Sequence, residues 1–197
     1  HSGVLALPML CNIPELIVLA PTSVEEYLSM LRWSLKQREN PVAILIPSTE
    51  LCHATGAVRE NFSLPAHYEI VRRGGEAAIL APGDMQVLGK KTAAVLEEKY
   101  GICPTLMNPG AVSDLDEALL RDLRKEHRAV LVLEDGLLSG GFGAKVAGFY
   151  ADSSMKVLLR GLPKAFYDRY RISSLLKAQG MTPERLAESV VNALGKN

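Results

Sequence analysis

The chain has 197 residues, 48% hydrophobic and 22% charged, enough for one sizeable α/β domain and part of another. Lys plus Arg and Asp plus Glu each number 22, so no net field recruits nucleic acid or an anionic membrane surface. No apolar run approaches the ~20 residues of a membrane span, and Cys11, Cys52 and Cys103 lack metal spacing, as expected for reduced thiols of a cytoplasmic protein.

The first residue is His1, with no signal-peptide layout around it, so the chain is expected to be a fragment. Residues 1–16 carry Pro8 and Pro14 and read as irregular with at most a short helix. Leu16 to Ala20 reads as a buried strand closed by Pro21. Ser23 and Glu26 form a capping box for the next helix, whose Val24, Tyr27, Leu28, Leu31 and Leu35 make one apolar stripe. Asn40-Pro41 ends it, and Val42 to Ile46 is the following strand. The β-α-β unit predicts parallel strands.

Ser48 to Gly75 has no sustained period and reads as a linker, ending in a small hairpin around Ala66 to Arg72. His53 and His67 lie in it as surface or hydrogen-bonded histidines. From Glu76 the β/α alternation is regular. Ala77 to Ala81 is a strand, and Asp84 is placed to cap the helix Met85 to Lys99, with Val87, Leu88, Ala94, Val95 and Tyr100 as its apolar positions. Thr105 to Asn108 is a strand, and Ser113 is placed to cap the helix Asp114 to Glu126. Lys156 to Leu162 is the last strand. Thr182-Pro183-Glu184 opens the last helix, with Leu186, Val190 and Leu194 inward and Gly195 as its stop.

The stretch Ala129 to Val146 organises this half. Ala129 to Leu133 is apolar without alternation, the mark of a parallel strand covered on both faces. It stops at Glu134 and Asp135, which point to opposite faces, and the glycines of Ser139 to Gly143 open a helix from Ala144 to Ala151. Such a carboxyl edge is where α/β folds place ligands. Gly141 and Gly143 let backbone approach an anion or, more simply, allow a tight turn. The spacing is not G-x-G-x-x-G, which excludes a dinucleotide fingerprint. There is no H-E-x-x-H, C-x-x-C, G-x-S-x-G or P-loop, so the residues name no catalytic or metal site of their own.

Several segments, in order, resemble the C-terminal part of the 1-deoxy-D-xylulose-5-phosphate synthase family in the transketolase superfamily. His1-Ser2-Gly3 resembles the family's T-H-x-G. Ile13-Pro14 with Val18-Leu19-Ala20-Pro21 resembles I-P-N-x-x-V-x-A-P. Pro41 to Ile44 matches the strand before R-Y-P-R-G, Gly136 to Gly143 is close to E-G-x-x-x-G-G-F-G, and Gly161-Leu162-Pro163 to G-x-P.

The resemblance implies an α/β protein in two parts. Residues 1–47 would be the tail of a pyrimidine-binding domain of β-α-β type, 48–75 a linker, and 76–197 a small, mostly parallel transketolase C-terminal domain. It implies a magnesium- and thiamine-diphosphate-dependent transferase as the parent, condensing pyruvate with glyceraldehyde 3-phosphate for isoprenoid and thiamine precursors. The main cofactor-binding elements and the activating glutamate lie in the family's N-terminal part, so this chain alone is expected to be inactive, working as a homodimer with that part or with a separate N-terminal subunit. Carried over by position, His1 would line the substrate and cofactor site. Ser48 takes the place of the family's phosphate-binding arginine and Leu45 that of the arginine before it. Two other readings share the fold: the subunit of a split transketolase-like enzyme, and a non-catalytic dimerisation module.

Overall fold

The structure, a computed structural model, describes residues 3–46, 52–168 and 171–196. A single 3-10 turn (Gly3–Leu5) and α1 (Ala6–Leu10) lead into β1 (Ile17–Leu19), α2 (Val24–Lys36) and β2 (Val42–Ile44). β1 and β2 pair in parallel, as the β-α-β reading requires. Then follow β3 (Glu69–Arg72), β4 (Glu76–Leu80), α3 (Met85–Tyr100), β5 (Thr105–Asn108), α4 (Glu117–Leu123) and β6 (His127–Leu137). The chain continues through α5 (Phe142–Phe149), β7 (Lys156–Leu162), α6 (Ile172–Ala178) and α7 (Pro183–Leu194).

The larger sheet has the order β3-β5-β4-β6-β7. β4 to β7 are mutually parallel and β3 runs antiparallel to β5, with an irregularity between Ile70 and Arg72. The hairpin expected at Ala66 to Arg72 is therefore corrected. β3 finds its partner in β5, and so a strand from the stretch read as linker completes the sheet edge.

Alternation along β4 and β6 divides the core in two. Ala78, Leu80, Val130 and Val132 face one layer, built from α4, α5 and the N-terminal segment. Ala77, Ile79, Leu131 and Leu133 face the other, built from α3, α6 and α7. A strand covered on both faces has no polar side, which is why Ala129 to Leu133 carries no alternation of hydropathy.

Two helices turn differently from their expected stripes. In α2 the buried positions are Glu26, Ser29 and Met30, while Leu28 and Leu35 are exposed. The polar residues set this rotation: Ser29 Oγ donates to the Arg59 carbonyl at 2.6 Å, and Glu26 accepts from Thr22 and Asn108. Ser23 does cap α2 through the Glu26 N–H, although the Glu26 carboxylate reaches back to the Thr22 N–H rather than to Ser23. In α3 the inward face is Met85, Gln86, Gly89, Thr92, Ala93 and Leu96, and Val87, Ala94 and Tyr100 face out. At Gly89 a Cβ would sit 2.8 Å from Ala81 Cβ, so the missing side chain lets α3 lie close on β4.

The N-terminal segment docks through backbone. The Ala20 N–H donates to the Gly110 carbonyl, the Val112 N–H to the Val18 carbonyl, and the Val18 N–H to Ser113 Oγ. Ser113 is thus engaged with β1, and Asp116 caps α4 by accepting from the Leu119 N–H at 3.0 Å. Thr182, Pro183 and Gly195 frame α7 as expected.

Candidate functional site

The order of the strands creates one topological switch point. From β4 the chain crosses to β5 on one side, and from β5 it crosses back to β6 on the other. A crevice opens between the carboxyl ends of β4 and β6, the position where open α/β sheets hold ligands. Asp84 follows β4 and Asp135 belongs to β6, and both line what remains of that crevice. Leu7, Ala20, Leu45 and Ile46 of the N-terminal segment close it to about 40 Å³, room for a few waters at most. The crevice is thus a docking seam in this chain.

The two adjacent acids do point apart. Asp135 shares the seam with Asp84, and burial first, then the Asp84 charge, holds its carboxyl above the usual carboxylate range. Asp84 therefore has a tertiary neighbour, and it makes no side-chain cap on α3, which corrects the capping role expected of it. Glu134, 1% exposed, turns the other way and accepts from the Phe142 N–H at 2.9 Å and the Gly143 N–H at 2.8 Å. Burial pushes its carboxyl up to about 7 against the opposing pull of those two donors.

The glycine turn now has its reason. A Cβ on Gly141 would lie 2.3 Å from Glu134 Oε2, and one on Gly143 would lie 2.6 Å from Oε1. The anion that these glycines admit is Glu134 itself, seated at the N-terminus of α5. The first free N–H groups of α5 are consumed internally. An external phosphate would meet a carboxylate there.

Lys145, one turn further along α5, escaped notice in the sequence. Its Nζ donates to the carbonyl of Cys11, at the end of α1, and to the carbonyl of Ser113 at 2.6 Å. One cation thereby joins the N-terminal segment, the loop after β5 and α5. Burial pushes the Cys11 thiol beside it up to about 11, leaving that cysteine unreactive. A lysine inside a helix carries no sequence signal for such a role.

His1 and Ser48, the two residues assigned by resemblance to the substrate site, lie outside the described residues. His53 Nδ1 meets Glu25 Oε1 at 2.8 Å, and His67 lies 4.0 Å from Asp116, so both are paired surface histidines. Among the described residues no three of His, Cys, Asp or Glu gather as a metal site, and no helix is long and apolar enough to cross a membrane.

Known proteins place this architecture. The chain is 33% identical over 201 residues to a 1-deoxy-D-xylulose-5-phosphate synthase of Shouchella clausii, covering 98% of this chain and 31% of that protein. A synthase of the same name from Thermotoga petrophila is 29% identical, over 97% of this chain and 31% of its own length. The chain thus spans about a third of the curated relatives it matches. Among solved structures, a split gene transketolase described as an inactive beta4 tetramer superposes with a TM-score of 0.82 at 21% identity, over 99% of this chain and 63% of that one. Transketolase from Campylobacter jejuni gives 0.74 at 15% identity, over 98% and 28%. Both share the fold. The family profile "Transketolase, C-terminal domain" matches residues 66–186, from just before β3 to the first turn of α7, more than half of the chain. This chain belongs to the transketolase C-terminal domain family.

Proposed function

We propose that the chain is the C-terminal portion of a 1-deoxy-D-xylulose-5-phosphate synthase, a transferase that condenses pyruvate with glyceraldehyde 3-phosphate. The observation that carries this reading is similarity along nearly the whole chain, including the N-terminal 65 residues that the domain profile does not reach, to relatives that bear that name. In this reading residues 1–47 are the tail of the pyrimidine-binding domain, 48–75 the connection, and 76–197 the C-terminal domain. The protein works in the cytoplasm as a homodimer. The exposed Leu28 and Leu35 of α2 supply an apolar face for the rest of the pyrimidine-binding domain.

Thiamine diphosphate and magnesium belong to the parent enzyme. The described residues of this chain do not fit them. The backbone N–H pair at the glycine turn is filled by Glu134, and among the described residues no three of His, Cys, Asp or Glu gather as a metal site. No step of the reaction is therefore assigned to these residues. Their work is to seat residues 3–46 of the N-terminal segment against the sheet.

Calorimetric titration of the 197-residue chain with thiamine diphosphate and magnesium should give no binding heat. Expression together with the sequence encoded upstream should yield 1-deoxy-D-xylulose 5-phosphate from the two substrates. Binding by the chain alone would overturn the assignment of the cofactor, and a cofactor-loaded parent that makes no product would overturn the reaction. A second reading, the subunit of a split enzyme, is favoured by the split gene transketolase, whose chain this one matches over 63% of its length. A separate upstream gene supplying the missing part would decide for it.

A further inference from the structure

A second cavity, of about 320 Å³, lies between α2, α3, β3 and the loop 52–59, at the carboxyl end of β5 and apart from the seam. That is the lower end of the range for small-molecule sites, ~300–1,000 Å³. Its wall holds polar groups whose needs the fold leaves unmet. Glu26, 3% exposed, engages Oε2 with the Thr22 N–H and hydroxyl, at 2.8 and 2.7 Å. Among the described residues its Oε1 accepts from Asn108 Nδ2 alone, at 3.1 Å, and that nitrogen lies 3.3 Å from Oε2 as well. The same nitrogen donates towards Glu69 Oε2 at 3.4 Å. Two carboxylates thus converge on one neutral amide, and neither has a salt bridge among the described residues.

Arg59, also on the wall, spends its guanidinium on the carbonyls of His67, Asn108 and Pro109. Gln86, 5% exposed, lines the same cavity with Oε1 and Nε2 both unpartnered. One turn along α3, Lys90 stands exposed at the rim. Buried charges are ordinarily paired and buried amides hydrogen-bonded. What the two carboxylates lack among the described residues is an ion pair of their own, since Arg59 is turned to carbonyls and Lys90 stands at the rim, and Gln86 lacks a polar partner. A metal ion does not answer the need, because Asn108 turns its N–H groups to the carboxylates and gives Oδ1 to the Gly110 N–H.

We propose that the cavity binds a small zwitterionic amino compound, of the amino-acid class, with its ammonium between Glu26 Oε1 and Glu69 and its anionic end at Lys90. The site is independent of the cofactor and substrates of the proposed reaction, and its test needs no catalysis. Saturation-transfer NMR on the chain compares three probes of one length: γ-aminobutyrate, butylamine and butyrate. Both amines should receive saturation and butyrate should not. γ-Aminobutyrate should bind more tightly than butylamine, and Lys90→Gln should remove that advantage while leaving butylamine unchanged.

Glu69→Gln, at an exposed position, should weaken both amines at least about tenfold without altering the melting curve. It carries the test even if Glu26→Gln fails to fold. Gln86→Leu should lose affinity yet melt no lower than the parent chain, since it removes an unpartnered buried amide. Transfer to butyrate equal to that of the amines would overturn the proposal. So would no transfer to either amine, or undiminished binding in Glu69→Gln or Gln86→Leu.

Discussion

Glu134 is the residue on which the local structure turns. A carboxylate can accept from both the Phe142 and Gly143 N–H groups, whereas a glutamine accepts with one oxygen and sets an NH2 against the second donor. Glu134→Gln should cost about 1–3 kcal/mol, the penalty of one buried donor left unmet, read as a lower melting temperature. The pH dependence follows from the same burial. The folded carboxyl sits at about 7 against an ordinary 4.5, so the fold binds its proton more tightly than the unfolded chain. The stabilisation this brings is complete below pH 4.5 and is lost as pH rises through about 7. Melting curves of Glu134→Gln should decline less over that range, the decline that remains belonging to Asp135, whose carboxyl burial raises to about 6, and equal slopes in both proteins would refute it. His127 acts in the opposite sense. Its Nδ1 donates to the Leu123 carbonyl, and its Nε2 lies 2.8 Å from Thr105 Oγ1, inside the fold. Burial lowers its pKa below 6.5, so its contribution is present above that pH and is lost on acidification.

At the scale of elements, α3 and α5 show how small residues and single charges set packing. Gly89→Ala would gain about 0.8–1 kcal/mol of helix propensity on an isolated helix. Here the new methyl meets Ala81 Cβ at 2.8 Å and Leu106 at 3.1 Å, and overpacking of that kind costs about 1–3 kcal/mol. The variant should therefore be less stable than the parent in urea unfolding; a gain would show that α3 can lift from β4 at no cost. Lys145→Met keeps the stem of the side chain but loses the donors to Cys11 and Ser113. Hydrogen exchange in α1 and β1 should accelerate in that variant while β6 stays protected. Uniform acceleration would mean that Lys145 supports the whole fold instead of the docked segment.

For the whole molecule, the two sheets differ in how they are held. β6 is paired on both sides and covered on both faces, with Ala129 to Leu133 inaccessible to solvent. The smaller sheet has two strands, and β2 is only half-buried. Exchange should be faster through Ile17–Leu19 and Val42–Ile44 than through Ala129 to Leu133. Equal, slow exchange would show that the N-terminal segment is part of one cooperative unit.

Strands β1, β2, β4, β5, β6 and β7 and helix α7 were legible from residue order alone, because unbroken apolar runs, proline stops and a Thr-Pro start are local signals. The kinship was legible too, since it rests on motif order along the chain. The rotation of α2 and α3 was not, because Glu26, Ser29 and Gly89 face inward for partners more than fifteen residues away or for a neighbouring strand. Asp84 and Ser113 both stood where a helix cap belongs, yet Asp84 lines the seam beside Asp135 and Ser113 accepts from the Val18 N–H of β1. β3 lacked a pattern because an antiparallel edge strand is specified by the strand it joins. The anion at the glycine turn, the closing of the switch-point crevice and the span of Lys145 depend on contacts between distant segments. The sequence by itself determined which stretches form strands and helices and which family they belong to. Which face each helix buries, and which polar groups meet, was decided only when the sheet brought those segments together.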